Sequence, residues 1–211
     1  TADGAAANRI AKWNGSTWSA LGSGLNSTVN ALAVSGADLY VGGGFTTAGG
    51  YTATRIAKWD GSAWSVLGLG MNNLVLALAV SGTDLYAGGA FTTAGGTAAT
   101  NIAKWDGSAW SALNSGLNGT VNALAVSGTT LYAGGSFTTA GGNAANYVTK
   151  WDGSAWSALG SGLNNWVYAL AVSSSDLYAG GWFTMAGGKA SSYAARVNLA
   201  PRLFILRSGA N

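Results

Sequence analysis

The chain has 211 residues, of which 34 are Gly, 10 are Trp and one is Pro, with no Cys and no His. Hydrophobic residues make up 48% and charged residues 8%, for a net charge of +3. That balance argues against disorder and excludes disulfides, thiolate or imidazole catalysis and zinc centres built on those ligands.

The ten Lys and Arg residues form no basic run, so the sequence carries no footprint for nucleic acid. No stretch of 18 apolar residues occurs, so no membrane insertion by a helix is expected. The opening Thr1-Ala2-Asp3-Gly4 does not read as a signal peptide.

In chain order, the first elements are two short strands, Asn8–Trp13 and Thr17–Leu21, joined at Asn14-Gly15. Their Lys-Trp pair returns at Trp59, Trp105 and Trp151, always 46 residues on. Tyr40, Tyr86, Tyr132 and Tyr178 keep the same period, as do Phe45, Phe91, Phe137 and Phe183. Residues 75–120 and 121–166 share 35 of 46 positions, which points to recent duplication or deliberate design.

Each unit predicts four strands. Val75–Val80 is a continuous apolar run, expected to be buried on both faces. Leu85–Phe91 follows the Gly82 turn and contains Gly88-Gly89. After the loop Thr92–Ala99 comes Asn101–Trp105. Asp106-Gly107 then predicts a type I′ hairpin into Ala109–Leu113. The glycine pairs Gly42-Gly43, Gly88-Gly89, Gly134-Gly135 and Gly180-Gly181 are expected to let an aromatic ring of a neighbouring unit approach the backbone.

The last unit opens with Val167–Val172 and Leu177–Phe183. Ser192–Val197 then reads as another third strand, and Leu203–Leu206 as a degenerate fourth. The expected architecture is all-β: a β-propeller of 46-residue blades. Four blades closed by the N-terminal strand pair is the leading arrangement, with a larger ring or an oligomer formed by strand exchange as the alternative. Residues 1–198 form the repeat domain, and residues 199–211 a tail or last strand.

The double glycines, followed by Trp59/Trp64, Trp105/Trp110 and Trp151/Trp156, make the repeat resemble the kelch type of propeller. The A-K-W-D-G-S-x-W core is closer still to secreted bacterial tandem propeller repeats of unknown function. That resemblance implies a place outside the cell or at its surface, and it leaves activity open.

Asp60, Asp106 and Asp152 sit in hairpin turns, and Asp38, Asp84 and Asp176 before second strands. All six read as turn formers, as does the Asn14 that replaces one of them. Lys12, Lys58, Lys104, Lys150 and Arg196 read as a solvated strand face. No metal, cofactor or catalytic set is expected, and the chain is not read as an enzyme.

The positions that break the repeat are the candidate ligand site. Trp166, Tyr168, Trp182 and Met185 replace small or polar residues in the last unit, and Tyr51, Asn30 and Asn122 vary at related positions. Aromatic rings flanked by amides suit sugar rings, so the expectation is a binding or adhesion module for glycans or cell-surface polymers. The same rings would also cover a closure seam or a homo-oligomer interface. The other readings are a self-associating scaffold and an engineered symmetric propeller without selected function.

Overall fold

The computed structural model describes the chain except for Ala2, Ala5 and residues 200–211. Strands joined by turns and loops make up the described residues, with no helix among them. The first complete blade pairs Val29–Ser35, Asp38–Gly43, Ile56–Trp59 and Trp64–Val66, in that order, as an antiparallel sheet. Blade 2 repeats it with Val75–Ser81, Asp84–Gly89, Ile102–Trp105 and Trp110–Ala112. Blade 3 uses Val121–Ser127, Thr130–Gly135, Val148–Trp151 and Trp156–Ala158. Blade 4 has three strands among the described residues: Val167–Ser173, Asp176–Gly181 and Ala194–Asn198.

The all-β propeller therefore holds, but the closing pair differs from the expectation. Asp176–Gly181 pairs with Ala194–Asn198, bringing Tyr178 opposite Arg196. The N-terminal strands Ala11–Trp13 and Trp18–Ala20 form their own two-stranded sheet. This hairpin lies on the near side of blade 1, where Ile10, Leu21 and Leu25 pack with Val41, Phe45 and Ala48. Proximity in the chain favours the local third strand, although it has lost both Trp residues. The candidate strand Leu203–Leu206 lies outside the described residues.

First strands of successive blades pack on one another, 1 on 2, 2 on 3 and 3 on 4, and among the described residues no comparable packing joins blade 4 to blade 1. A single chain is thus an open arc. First strands are well covered in the interior of the arc, whereas Leu32 and Val34 of blade 1 face solvent. Burial on both faces is a property of having neighbours on both sides.

The glycine pairs work differently from the expectation. A side chain at Gly88 or Gly134 would collide with Cγ1 of Val121 or Val167 on the next blade, 2.5 Å away. The second glycine of each pair faces a backbone carbonyl across a bulge, as Gly89 faces Leu74. The approaching group is β-branched rather than aromatic, because the Trp rings lie on outer strands. Those rings rest on other glycines: Trp64 against Gly22 and Gly49, Trp110 against Gly68 and Gly95.

The Asp-Gly turn is also not type I′. Trp105 pairs directly with Trp110, which leaves a four-residue loop. Only Gly107 is left-handed there, with φ 102°. Asp106 instead turns its Oδ1 back to accept the Ser108 and Ala109 N–H groups, each at 2.8 Å. The carboxylate does what a second left-handed residue would otherwise do.

Candidate functional site

Every blade joins the residue before its first strand to the residue after its second by one backbone hydrogen bond. Gly44 N–H donates to Thr28, Ala90 to Leu74, Ser136 to Thr120 and Trp182 to Trp166, at 2.9–3.0 Å. The frame is constant and only the side chains on it change.

A second repeated device holds the adjoining loops. Asn26, Asn72, Asn118 and Asn164 each accept two backbone N–H groups and donate to a Thr hydroxyl 20 residues away. In the last blade, Asn164 Oδ1 accepts from Thr184 and Met185, at 2.8 and 2.9 Å. The sequence signal was an Asn in each unit at the 46-residue period, which the search for acids and aromatics passed over.

On that frame the last blade carries a compact aromatic cluster. Trp166 and Trp182 stack with ring centroids 5.7 Å apart and planes 12° from parallel. Tyr168 sets its edge against both, at 5.3 Å from Trp182 and 6.3 Å from Trp166. Edge-to-face and offset contacts of this kind stabilise aromatic groups by about 0.5–1.5 kcal/mol a pair beyond area burial. All three rings are exposed, and Trp182 most of all, at 60%. Large exposed apolar groups gathered in one place mark an interaction surface more often than scattered ones do.

The other four candidates lie apart from this cluster or are already engaged. Met185 is exposed on the short strand Met185–Ala186, its backbone held by Asn164. Tyr51 stands exposed on the outer hairpin of blade 1, with no ring contact to the cluster among the described residues. Asn30 and Asn122 spend their amide donors between blades, on the carbonyls of Val75 (3.1 Å) and Val167 (2.9 Å). They tie blade 1 to blade 2 and blade 3 to blade 4.

The acids are structural in detail. Backbone donors in their own turns hold the carboxyls of Asp60 and Asp106 down at about 2, and that of Asp152 below the usual carboxylate range. Asp38 and Asp84 do more than turn the chain: each accepts from a Lys of the third strand, Lys58 or Lys104, at 3.1 Å. The hydrogen bond to Asp raises both ammonium groups above their ordinary value. In blade 3, Thr130 takes the place of that Asp, and Lys150 takes the place of the Lys, opposite Tyr132. Among the described residues, no three acids or other metal-ligating side chains come together.

Comparison with known proteins agrees with this architecture. The family model for the Rax2 C-terminal beta propeller domain matches residues 8–168. Among solved structures, the computationally designed Ika4 protein is similar at 20% identity and a TM-score of 0.53. The match covers 85% of this chain and 96% of that one. The computationally designed Ika8 protein aligns at 18% identity over 90% of this chain and 69% of its own, with a TM-score of 0.48. Among curated proteins, none matches the chain.

Proposed function

The chain belongs to the Rax2 C-terminal β-propeller family, and we propose that it is a non-catalytic binding module whose ligand platform is the aromatic cluster of the last blade. The observation that supports this reading is the stacked, exposed Trp166–Trp182 pair with Tyr168 at its edge. The same backbone positions in the other blades carry Thr28 and Gly44, Leu74 and Ala90, or Thr120 and Ser136. Nothing in the blade frame requires aromatics there, since three blades fold without them.

Carbohydrate is the favoured ligand class. A pyranose has an apolar face of axial C–H groups that gains by leaving water against an aromatic plane. Trp182, the most exposed of the three rings at 60%, offers such a plane. A place outside the cell or at its surface fits a glycan-binding role. With every repeated Asp committed to a turn or an ion pair, hydrolysis is not part of the proposal.

The test is glycan-array and calorimetric binding of the chain and of Trp182→Ala. Trp182 is largely exposed but makes two of the three ring contacts, so its removal should lower the melting temperature by a few degrees and leave the chain folded by circular dichroism. Binding lost while the fold is kept supports the platform. Equal binding by the variant overturns it.

A further inference from the structure

The interior of the arc shows what one blade needs from the next. Gly42, Gly88 and Gly134 each receive a Val of the following blade (Val75, Val121, Val167), with a Leu beside it (Leu78, Leu124, Leu170). Two residues before these glycines, Tyr86 and Tyr132 are 7% and 5% exposed and Tyr40 is half-buried. The two ends of the chain carry the unmatched halves of this same interface. At Gly180 an added side chain would meet no described atom closer than 3.9 Å, and Tyr178 is 42% exposed. At the other end, Val29 is only half-buried, and Leu32 is 55% exposed where its equivalent Leu78 is 9%.

The outer strands tell the same story. Each of Trp64, Trp110 and Trp156 donates its indole N–H to the unit before, on the carbonyls of Leu21, Leu67 and Leu113. The N-terminal hairpin is therefore held against blade 1 as the outer half of a complete blade is held against its successor. It is an outer half-blade that pairs with no inner strand among the described residues. Blade 4 is the converse, an inner half with one substitute outer strand. That strand puts Val197 where the complete blades have Trp59, Trp105 and Trp151. A cavity of about 460 Å³ opens there, lined by Leu159, Gly160, Ala195 and Val197. Meanwhile Trp13 and Trp18 are each 47% exposed, whereas Trp151, in the place of Trp13, is 7% exposed and Trp110 and Trp156, in the place of Trp18, are 7% and 6%.

We propose that this surface binds a second copy of the same chain, head to tail. The hairpin Ala11–Ala20 of one copy takes the outer places of the other's blade 4 and displaces Ala194–Asn198. Its Trp13 fills the cavity, and Val29 and Leu32 of its blade 1 seat on Gly180. The hairpin keeps its own contacts with blade 1 throughout. The exchange is reciprocal, so two arcs of four blades close into one ring with two equivalent seams and no unpaired inner edge. This goes beyond the ligand reading and does not depend on it.

Light scattering after size exclusion should give twice the 21.0 kDa chain mass. Gly180→Val fills the seat and is accommodated in the single chain, so it should give a folded monomer by circular dichroism. Leu32→Asp should do the same from the other side. The chain has no Cys, so the double substitution Val29→Cys with Gly180→Cys gives a clean cross-link. In the interior, the Val Cβ lies 3.0 Å from the Cβ position at Gly134, close to disulfide reach. Oxidation should yield a covalent dimer on a non-reducing gel. A 21.0 kDa wild-type species, a dimer that persists in both single variants, or a cross-linked product of monomer size would overturn the proposal. Glycan binding by the Gly180→Val monomer is read separately, so failure of the assembly and failure of the ligand platform are distinguishable.

Discussion

Asp60, Asp106 and Asp152 hold their turns by accepting backbone and hydroxyl donors on one carboxylate oxygen. Those bonds favour the ionised form, which is why the carboxyls of Asp60 and Asp106 fall from 3.8 to about 2. A depressed folded-state pKa adds stability above the unfolded value, and that contribution is lost as pH falls. The window here runs from about 4 down to about 2. Asn14 supplies the control, since its Oδ1 accepts the Ser16 and Thr17 N–H groups at 2.9 Å without titrating. The triple variant Asp60→Asn, Asp106→Asn, Asp152→Asn should keep the fold at neutral pH. Its melting temperature should fall less than that of the parent between pH 4 and pH 2. Parallel acid limbs for the two proteins would show that these carboxylates do not set the acid sensitivity.

Much of the blade was legible because strand physics leaves a local trace. Trp105 and Trp110 flank a four-residue turn, Val75–Val80 is apolar throughout, and both patterns recur with the 46-residue period. The role of Gly88 and Gly134 was not legible, because their partners Val121 and Val167 lie one blade on and carry no local signal. The Asp38–Lys58 pair escaped notice for the same reason: it joins residues 20 apart on neighbouring strands. The aromatic site was half legible. Departure from the repeat picked out Trp166, Tyr168 and Trp182, but it also picked out Asn30 and Asn122, whose variation serves the seams between blades. These seams make a prediction of their own. Gly134→Ala would push a methyl to 2.5 Å from Val167 Cγ1, and overpacking of this kind costs about 1–3 kcal/mol. In the Leu32→Asp monomer, denaturant midpoints should show that loss for Gly134→Ala and almost none for Gly180→Ala, whose added methyl meets only ordinary contacts within one chain. Equal losses at both positions would mean that the penalty is set by the strand itself rather than by the neighbouring blade.

A stack of near-identical blades has a stability that sums over units and the interfaces between them. Blades 2 and 3 are covered on both sides: Val75 and Val121 are fully buried in the seams before them, and Val121 and Val167 in the seams after. Blade 1 has blade 2 on one side and only the two-stranded hairpin on the other. Blade 4 has one neighbour, three strands, and an outer strand whose Arg196 reaches Asp176 at 3.5 Å while remaining mostly exposed. Opening free energies should follow that order, because local unfolding tracks buried contacts. In the Gly180→Val chain, amides of Leu85–Gly89 and Leu131–Gly135 should exchange slowest, those of Leu39–Gly43 faster, and those of Leu177–Gly181 fastest. Repeating the measurement on the wild-type chain separates the terms further. If a second copy supplies the outer strands of blade 4, Leu177–Gly181 should gain protection with rising protein concentration, while Leu131–Gly135 should change little. Identical exchange in all four second strands at every concentration would mean that the chain opens as one cooperative unit, and that the open ends of the arc carry no energetic cost of their own.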